Sequence, residues 1–314
     1  MTSRVKRILQ ILIYLVNRTI SGSIRFRKDS IDFNQEKRLV LDSLIQQGFD
    51  QVYHLAKPPS TGVRLRKKVD RSAFFSSLVQ NFAYIKTAIT HNPNNILSAG
   101  TIKMNYFRVP KAASTSILQL LVSKELSIEP EKLSQKQIDI LGDLLFQNKL
   151  KSHTAHFQNI AIVRNPLSRL HAVYRTIFQG SPKDFIYESY LFGLFTRDMD
   201  FDRFVNAVTK IPPTIADYHF RPQYELIYNH QCVRKIKIFK MEEIDTVLNS
   251  YLMANFDFTL AHLNKGHSNK EILDNIYSLE TARKVYTYYH RDFTYFNYAK
   301  DYNDLIMNLS GKSQ

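Results

Sequence analysis

Three short apolar runs beyond residue 100 constrain the fold of this chain more than any other feature. They span Met104–Val109, Asn159–Val163 and Lys235–Phe239, and the first two are each followed at once by a helix-like segment. Short apolar runs that alternate with longer amphipathic ones are typical of a parallel sheet flanked by helices. The sequence therefore predicts an α/β fold with a P-loop-like parallel sheet, preceded by a helical N-terminal region.

The pattern divides the chain into four parts. We expect a basic segment at 1–30, a helical region at 31–100, the α/β domain at 101–300 and a C-terminal tail at 301–314. The turn signal HNPNN at 91–95 precedes the change of pattern, because Asn and Pro favour turns over regular structure.

Helical spacing of apolar residues recurs outside the predicted sheet. It predicts helices over Arg71–Thr90, over Ile186–Lys210, and over a final segment from Ser278 to about His290. Behind the second strand, Asn165 is expected to cap a helix that begins at Pro166, since a proline at that position loses no hydrogen bond.

Two polar turns follow the first two predicted strands. The first holds Lys111 and then Ser114, Thr115 and Ser116 at the start of a helix, and Arg164 ends the second strand. In an open parallel sheet, ligands bind beyond the carboxyl ends of the strands, and a helix N-terminus attracts anions. The first turn lacks the glycines of the Walker pattern. Alone it could be a polar helix cap, but the pair of turns indicates a phosphate-like ligand.

The net charge of +15 indicates either a solvated cationic surface or a polyanionic partner. Seven Lys and Arg residues fall within residues 1–28, around an apolar stretch, Ile8–Val16, that is too short for a membrane span of about 20 residues. This segment is expected to form a helix that packs on the protein or lies on an anionic membrane. The single cysteine, Cys232, excludes an intramolecular disulfide and a cysteine-based metal site.

Five segments, in order, resemble motifs of PAPS-dependent sulfotransferases of the membrane-associated carbohydrate type (sulfotransferase family 2-like). FRVPKAASTSI is similar to that family's 5′-phosphosulfate loop, and IAIVRNPLSRLHAVYR to its 3′-phosphate motif. DYHFRPQ, KIFKMEEI and YHRDFTYFNY resemble its D-x-H-x-x-P-Q segment, its third strand with the following acid, and its aromatic ending. The resemblance covers about residues 101–300. It implies an enzyme that uses PAPS as co-substrate and requires no metal.

The resemblance also assigns residues to the donor. It implies that the first turn binds the 5′-phosphosulfate and that Arg164 binds the 3′-phosphate. The implied donor-binding residues are Pro110, Lys111, Ala112, Ala113, Ser114, Thr115, Ser116, Arg164 and Ser168. Where the family has a serine that shares the 3′-phosphate, this chain has Ala172. Either Ser168 or a backbone amide substitutes for that serine, or the 3′-phosphate is bound more weakly.

Sulfuryl transfer needs positive charge at the leaving phosphate and a base for the acceptor proton. Lys111 is the expected stabiliser of the leaving group. Histidine is the usual base near neutral pH. His219 lies in the better motif match, whereas His156 lies in an interval where the loosely similar uronyl 2-O-sulfotransferases have their bases. Residues before a parallel strand tend to lie at its amino end, away from the donor, so His219 is preferred and His156 is second.

The expected acceptor is a hydroxyl-bearing molecule. The resemblance favours a glycan, and a lipid or a small alcohol stays open. No nucleic acid partner is expected, and peripheral membrane contact through the N-terminus is an open alternative. The expected location is the bacterial cytoplasm, peripheral to the inner membrane, or the Golgi membrane in a eukaryote. Two other functions stay open: a nucleotide-dependent kinase or other P-loop transferase, and a non-enzymatic polyanion-binding protein that uses its aromatic side chains for stacking.

Overall fold

The structure is a computed structural model. It describes residues 3–20, 33–55, 78, 81, 96–146, 154, 156–178, 190–228, 235–260 and 270–311. The predicted turn at 91–95 and nearly all of the helix predicted over Arg71–Thr90 lie outside the described residues.

Four strands form one sheet in the order β1-β2-β3-β4. They are β1 (Ile96–Ala99), β2 (Met104–Phe107), β3 (Gln158–Val163) and β4 (Lys237–Lys240). β2, β3 and β4 run parallel, and Tyr106 lies opposite Ile160, whereas β1 is antiparallel to β2. The α/β class and the three predicted strands are confirmed. β1 was not predicted, because four residues beside a turn signal carry too little pattern.

Helices make up most of the remaining described chain. They are α1 (Ser3–Ile20), α2 (Phe33–Gln46), α3 (Ser114–Leu126), α4 (Gln135–Leu145), α5 (Pro166–Phe178), α6 (Phe201–Thr209), α7 (Gln223–Tyr228), α8 (Asn249–Phe256), α9 (Lys270–Ile276), α10 (Leu279–Tyr288), α11 (His290–Tyr295) and α12 (Ala299–Gly311). Short 3₁₀ segments occur at Asp50–Leu55, Pro130–Lys132 and Met241–Glu243, and a π-helical turn at Ile244–Leu248 leads into α8.

The core is built around the central strands. β2 is buried throughout and β3 over its last four residues, as expected for parallel strands that are covered on both faces. α4 begins with a capping box between Ser134 and Gln137. It packs closely on α3, because a Cβ atom added to Gly142 would lie 2.5 Å from Cδ1 of Leu118.

Two predicted helices differ from the structure. Within the described part of Ile186–Lys210, only α6 is helical, and Leu191 and Phe192 have φ values of 44° and 56°, which a right-handed helix does not contain. Apolar spacing alone could not reveal this backbone conformation. The helix predicted from Ser278 is confirmed as α10, with Ser278 as its N-cap. It is not the final helix, because α11 and α12 follow it.

Helix α1 packs on the protein through one face. Ile11 is buried, and the hydroxyl of Thr214 donates a hydrogen bond to Oε1 of Gln10 at 2.7 Å. No helix in the described ranges has the length and apolar content needed to span a bilayer.

Candidate active site

The first polar turn connects β2 to α3 through a strained loop. Lys111 and Ala113 have φ values of 65° and 54°, a left-handed conformation that costs a non-glycine residue about 1–2 kcal/mol. Such strain concentrates at ligand-binding sites. Ala113 precedes α3 without any side-chain cap among the described residues, so the first amides of α3 are available to an anion.

The predicted donor-binding residues of this loop differ in exposure. Pro110, Ala112 and Ser114 are buried. The half-buried residues, which a ligand can reach, are Lys111, Ala113, Thr115 and Ser116.

The second polar turn connects β3 to α5, and a side chain of this turn, that of Asn165, caps the helix. Oδ1 of Asn165 accepts hydrogen bonds from the amides of Leu167 at 2.9 Å and Ser168 at 3.4 Å, and Pro166 is the first residue of α5, as predicted. The first amides of α5 are therefore occupied, in contrast to those of α3. An anion at the second turn would have to be held by side chains.

The two turns meet beyond the carboxyl ends of β2 and β3. Nη1 of Arg164 donates a hydrogen bond to the backbone oxygen of Lys111 at 3.3 Å. Burial lowers the pKa of Lys111, and the charge of Arg164 lowers it further, whereas the charge of Asp139 raises it. Burial also lowers the pKa of Arg164, against the opposing charge of Glu242. Two cations that lie close together and are shielded from water attract an anion.

Arg169 joins the first turn to the segment that carries His219. Its side chain is 1% exposed, and its Nε donates to the backbone oxygen of Pro110 at 2.9 Å. Its terminal nitrogens donate to the backbone oxygens of Arg221 at 2.9 Å, Tyr218 at 3.2 Å and His219 at 2.9 Å. Because a buried charge is stable only when its donors are satisfied, Arg169 fixes the His219 segment relative to the first turn.

His219 is paired with a carboxylate. Its Nδ1 lies 2.9 Å from Oδ1 of Asp217, which also accepts a hydrogen bond from the His219 amide at 2.9 Å. An ionised carboxylate can only accept, so Nδ1 carries a proton and Nε2 carries the basic lone pair. The His219 side chain is 22% exposed, and a ligand can therefore reach it. This arrangement suits a general base.

The second turn is supported by residues near the C-terminus. Oε1 of Gln223 accepts from the amide of Arg164 at 2.9 Å, and its Nε2 donates to the Arg164 oxygen at 2.8 Å. Asp292 accepts from the amides of Gln223 and Tyr224, each at 2.8 Å. Burial raises the pKa of Asp292 to about 6, although these hydrogen bonds act to lower it. Asp292 thus holds Gln223, and Gln223 holds the backbone of Arg164.

Glu242 supports the same turn from the end of β4. Its Oε1 accepts from the amide of Asn165 at 2.9 Å, and its Oε2 accepts from the hydroxyl of Tyr298 at 2.7 Å. Through Arg169, Asp292 and Glu242, all five segments identified in the sequence are connected by hydrogen bonds around the two turns.

His156 does not lie at the edge of the sheet where the two polar turns meet. It precedes β3 and lies at the amino end of that strand, whereas Arg164 follows its carboxyl end. The six residues of β3 separate them, which corresponds to roughly 20 Å. His156 is exposed, and its ring packs edge-on against Phe157 with 4.9 Å between the ring centroids. Of the two predicted bases, only His219 is connected to the first turn, through the hydrogen bonds of Arg169.

Ser168 faces an acidic cavity. It is buried on α5 one turn before Ala172, and with Asn165 it lines a cavity of about 190 Å³. The other polar residues around this cavity are carboxylates: Glu242, Asp274, Asp301 and Asp304. Carboxylates repel a phosphate and accept hydrogen bonds from amines and hydroxyls. In the described part of the chain, no group of three or more His, Cys, Asp or Glu side chains is arranged to hold a metal ion.

Arg169, Glu242 and Asp292 were not predicted as site residues, although the quoted segments contain them. Their partners are distant in the sequence, and spacing does not reveal such contacts. The sequence did contain one signal for the role of Arg169. Arg169 lies on the apolar face of α5 with Val173 one turn later, and a charged residue at such a position is buried only when it is fully hydrogen-bonded.

Comparison with known proteins gives one match. A family model described as "Sulfotransferase family" matches residues 94–299, which is more than half of the chain. Neither the curated proteins nor the solved structures gave a match. The matched range contains β1 to β4, both polar turns and the segment with His219.

Proposed function

The chain belongs to the sulfotransferase family, and we propose that it transfers the sulfuryl group of PAPS to a hydroxyl of a carbohydrate acceptor. The observation that carries the proposal is the meeting of the two cationic turns, where Arg164 donates to the backbone of Lys111 at 3.3 Å. PAPS carries one anionic group at the 5′ position and another at the 3′ position of the same ribose. Two adjacent anion-binding turns suit such a molecule.

The turn before α3 suits the 5′-phosphosulfate. The uncapped amides of α3 and the hydroxyls of Thr115 and Ser116 can donate to its oxygens. As the acceptor oxygen bonds to sulfur, the bond from sulfur to the 5′-phosphate oxygen breaks, and the phosphate takes the electron pair. Lys111 lies beside that developing charge. Its removal is expected to lower turnover by about 10²- to 10³-fold, as for a lost oxyanion donor.

Side chains hold the 3′-phosphate in this proposal, because the first amides of α5 are already capped. Arg164 is the first ligand. Ala172 has no side-chain donor. Ser168, His171 and Arg175 have the spacing i, i+3 and i+7, which places them on one face of α5. Burial lowers the pKa of His171, and the charges of Arg175 and Arg164 lower it further. Because the charges of Arg164 and Arg175 both act on the His171 ring, we assign the role of the missing serine to His171 and Arg175.

His219 takes the acceptor proton. With Nδ1 hydrogen-bonded to Asp217, Nε2 accepts the proton as the acceptor oxygen attacks sulfur. A general base contributes about 10²- to 10⁴-fold, so His219→Ala is expected to lower kcat by at least about 100-fold while PAP binding is kept. His156→Ala is the matched control. If it lowers kcat more than His219→Ala does, the base is His156.

The nucleotide that the protein prefers tests the identity of the sulfuryl donor. We expect PAP to raise the melting temperature of the protein more than ATP with magnesium does. Arg164→Ala is expected to weaken PAP binding by about 10- to 100-fold, because it removes one charged hydrogen-bonded contact. Lys111→Ala is expected to lower kcat instead. Stabilisation by ATP with magnesium but not by PAP would favour a kinase. Binding of nucleic acid that persists at high salt would favour a polyanion-binding protein.

A further inference from the structure

Helix α1 presents an apolar stripe to the outside of the protein. Leu9, Leu12, Ile13 and Val16 are 47%, 53%, 52% and 54% exposed. Their spacing of i, i+3, i+4 and i+7 puts them on one face of the helix. Exposed apolar residues are ordinary when they are scattered, but a contiguous stripe of large ones indicates an interaction surface.

The opposite face attaches α1 to the rest of the chain. Ile11 is 4% exposed, and Tyr14 and Leu15 pack against the core. Gln10 accepts the hydrogen bond from Thr214 at 2.7 Å. The helix therefore already has a face that packs on the protein, and the exposed stripe is additional to it.

The charge of α1 suits an anionic surface. Its sequence, SRVKRILQILIYLVNRTI, contains Arg4, Lys6, Arg7 and Arg18 and no Asp or Glu. A helix with an apolar face and several cations lies in the interface of a bilayer whose headgroups are anionic. A second copy of this chain is a poorer partner, because each copy carries a net charge of +15 and the two copies would repel each other.

We propose that α1 binds this protein to the surface of an anionic lipid bilayer, with the stripe of Leu9, Leu12, Ile13 and Val16 inserted among the acyl chains. Thr214, which holds α1, lies three residues before Asp217, the partner of His219. The bound helix thus keeps the segment of the candidate base close to the membrane. Membrane binding does not depend on the proposed sulfuryl transfer, and either can fail without the other.

Vesicle sedimentation with the full chain tests this proposal. We expect the protein to sediment with vesicles of phosphatidylcholine and phosphatidylglycerol but much less with phosphatidylcholine alone, and to be released by high salt. Leu12→Gln with Val16→Gln is expected to lower the partition coefficient about 100-fold, roughly tenfold for each aliphatic side chain. Leu39→Gln, at a residue of α2 that is 63% exposed, is the matched control and is expected to change nothing.

Three outcomes would overturn the proposal. They are failure of the unmodified protein to sediment with anionic vesicles, equal binding to neutral vesicles, and an equal loss in Leu39→Gln. A dimer in solution that the double variant dissociates, without vesicle binding, would assign the stripe to a contact between copies. The variants should keep the circular dichroism and melting temperature of the parent. If the double variant unfolds, Ile13→Gln carries the same test with about a tenfold loss.

Discussion

Replacement of Arg169 by lysine tests the hydrogen-bond network that positions the candidate site. The guanidinium donates to four backbone oxygens in two separate segments, at 2.9 to 3.2 Å, and is 1% exposed. Lysine keeps the charge but has only three donors, all on one nitrogen, and a CH₂ group replaces Nε, so at least one of the four oxygens, that of Pro110, loses its partner. At about 1.5–3 kcal/mol for each charged hydrogen bond, Arg169→Lys is expected to lower the free energy of unfolding by at least roughly 1.5–3 kcal/mol.

Urea unfolding measures this change, and Arg203→Lys is the control. Arg203 bonds the backbone oxygen and the carboxylate of Asp198, but its side chain is 53% exposed. Its replacement is therefore expected to change the free energy of unfolding by no more than about 0.5 kcal/mol. A loss in Arg169→Lys below about 1 kcal/mol, or one equal to that of the control, would refute the reasoning that Arg169 holds the two segments together.

Three further changes are expected. The pKa of Asp292 is raised from 3.8 to about 6 on folding. The folded state therefore binds more protons between about pH 4 and pH 6, and the free energy of unfolding falls by roughly 3 kcal/mol as pH rises through that window. Asp292→Asn should remove this slope from pH-dependent urea curves. The charge of Asp139 raises the pKa of Lys111, so Asp139→Asn should move the alkaline limb of kcat/KM to lower pH; no movement would contradict that role of Lys111. Ala172→Ser should tighten PAP binding by about fivefold, one hydrogen bond of about 1 kcal/mol, and calorimetry measures it.

Local signals allowed three strands, the two polar turns and one helix cap to be predicted. β2 and β3 are apolar runs, the capping role of Asn165 follows from residue type, and the start of a helix near Ser278 follows from apolar spacing. None of these predictions depends on distant parts of the chain. The positive φ values of Lys111 and Ala113 were not predictable in this way. Neither residue is glycine, and the conformation is imposed by the surrounding structure.

The supporting residues of the site depend on tertiary structure. Asp292 meets the amide of Gln223 across 69 residues, and Glu242 meets the amide of Asn165 across 77 residues. No periodicity encodes such pairs, and only the fold brings them together. His156 is different, because its position before the predicted strand β3 already indicated the amino end of that strand, away from the donor.

Transfer of a labelled sulfuryl group from PAPS tests the central claim most directly. The protein is incubated with PAPS labelled at sulfur and a panel of glycans, and both the labelled glycan and the released PAP are measured. We predict that label reaches at least one glycan in equal amount to PAP, and that Lys111→Ala lowers this rate by about 10²- to 10³-fold. Absence of transfer to every glycan, in a folded protein that PAP does not stabilise, would contradict the account.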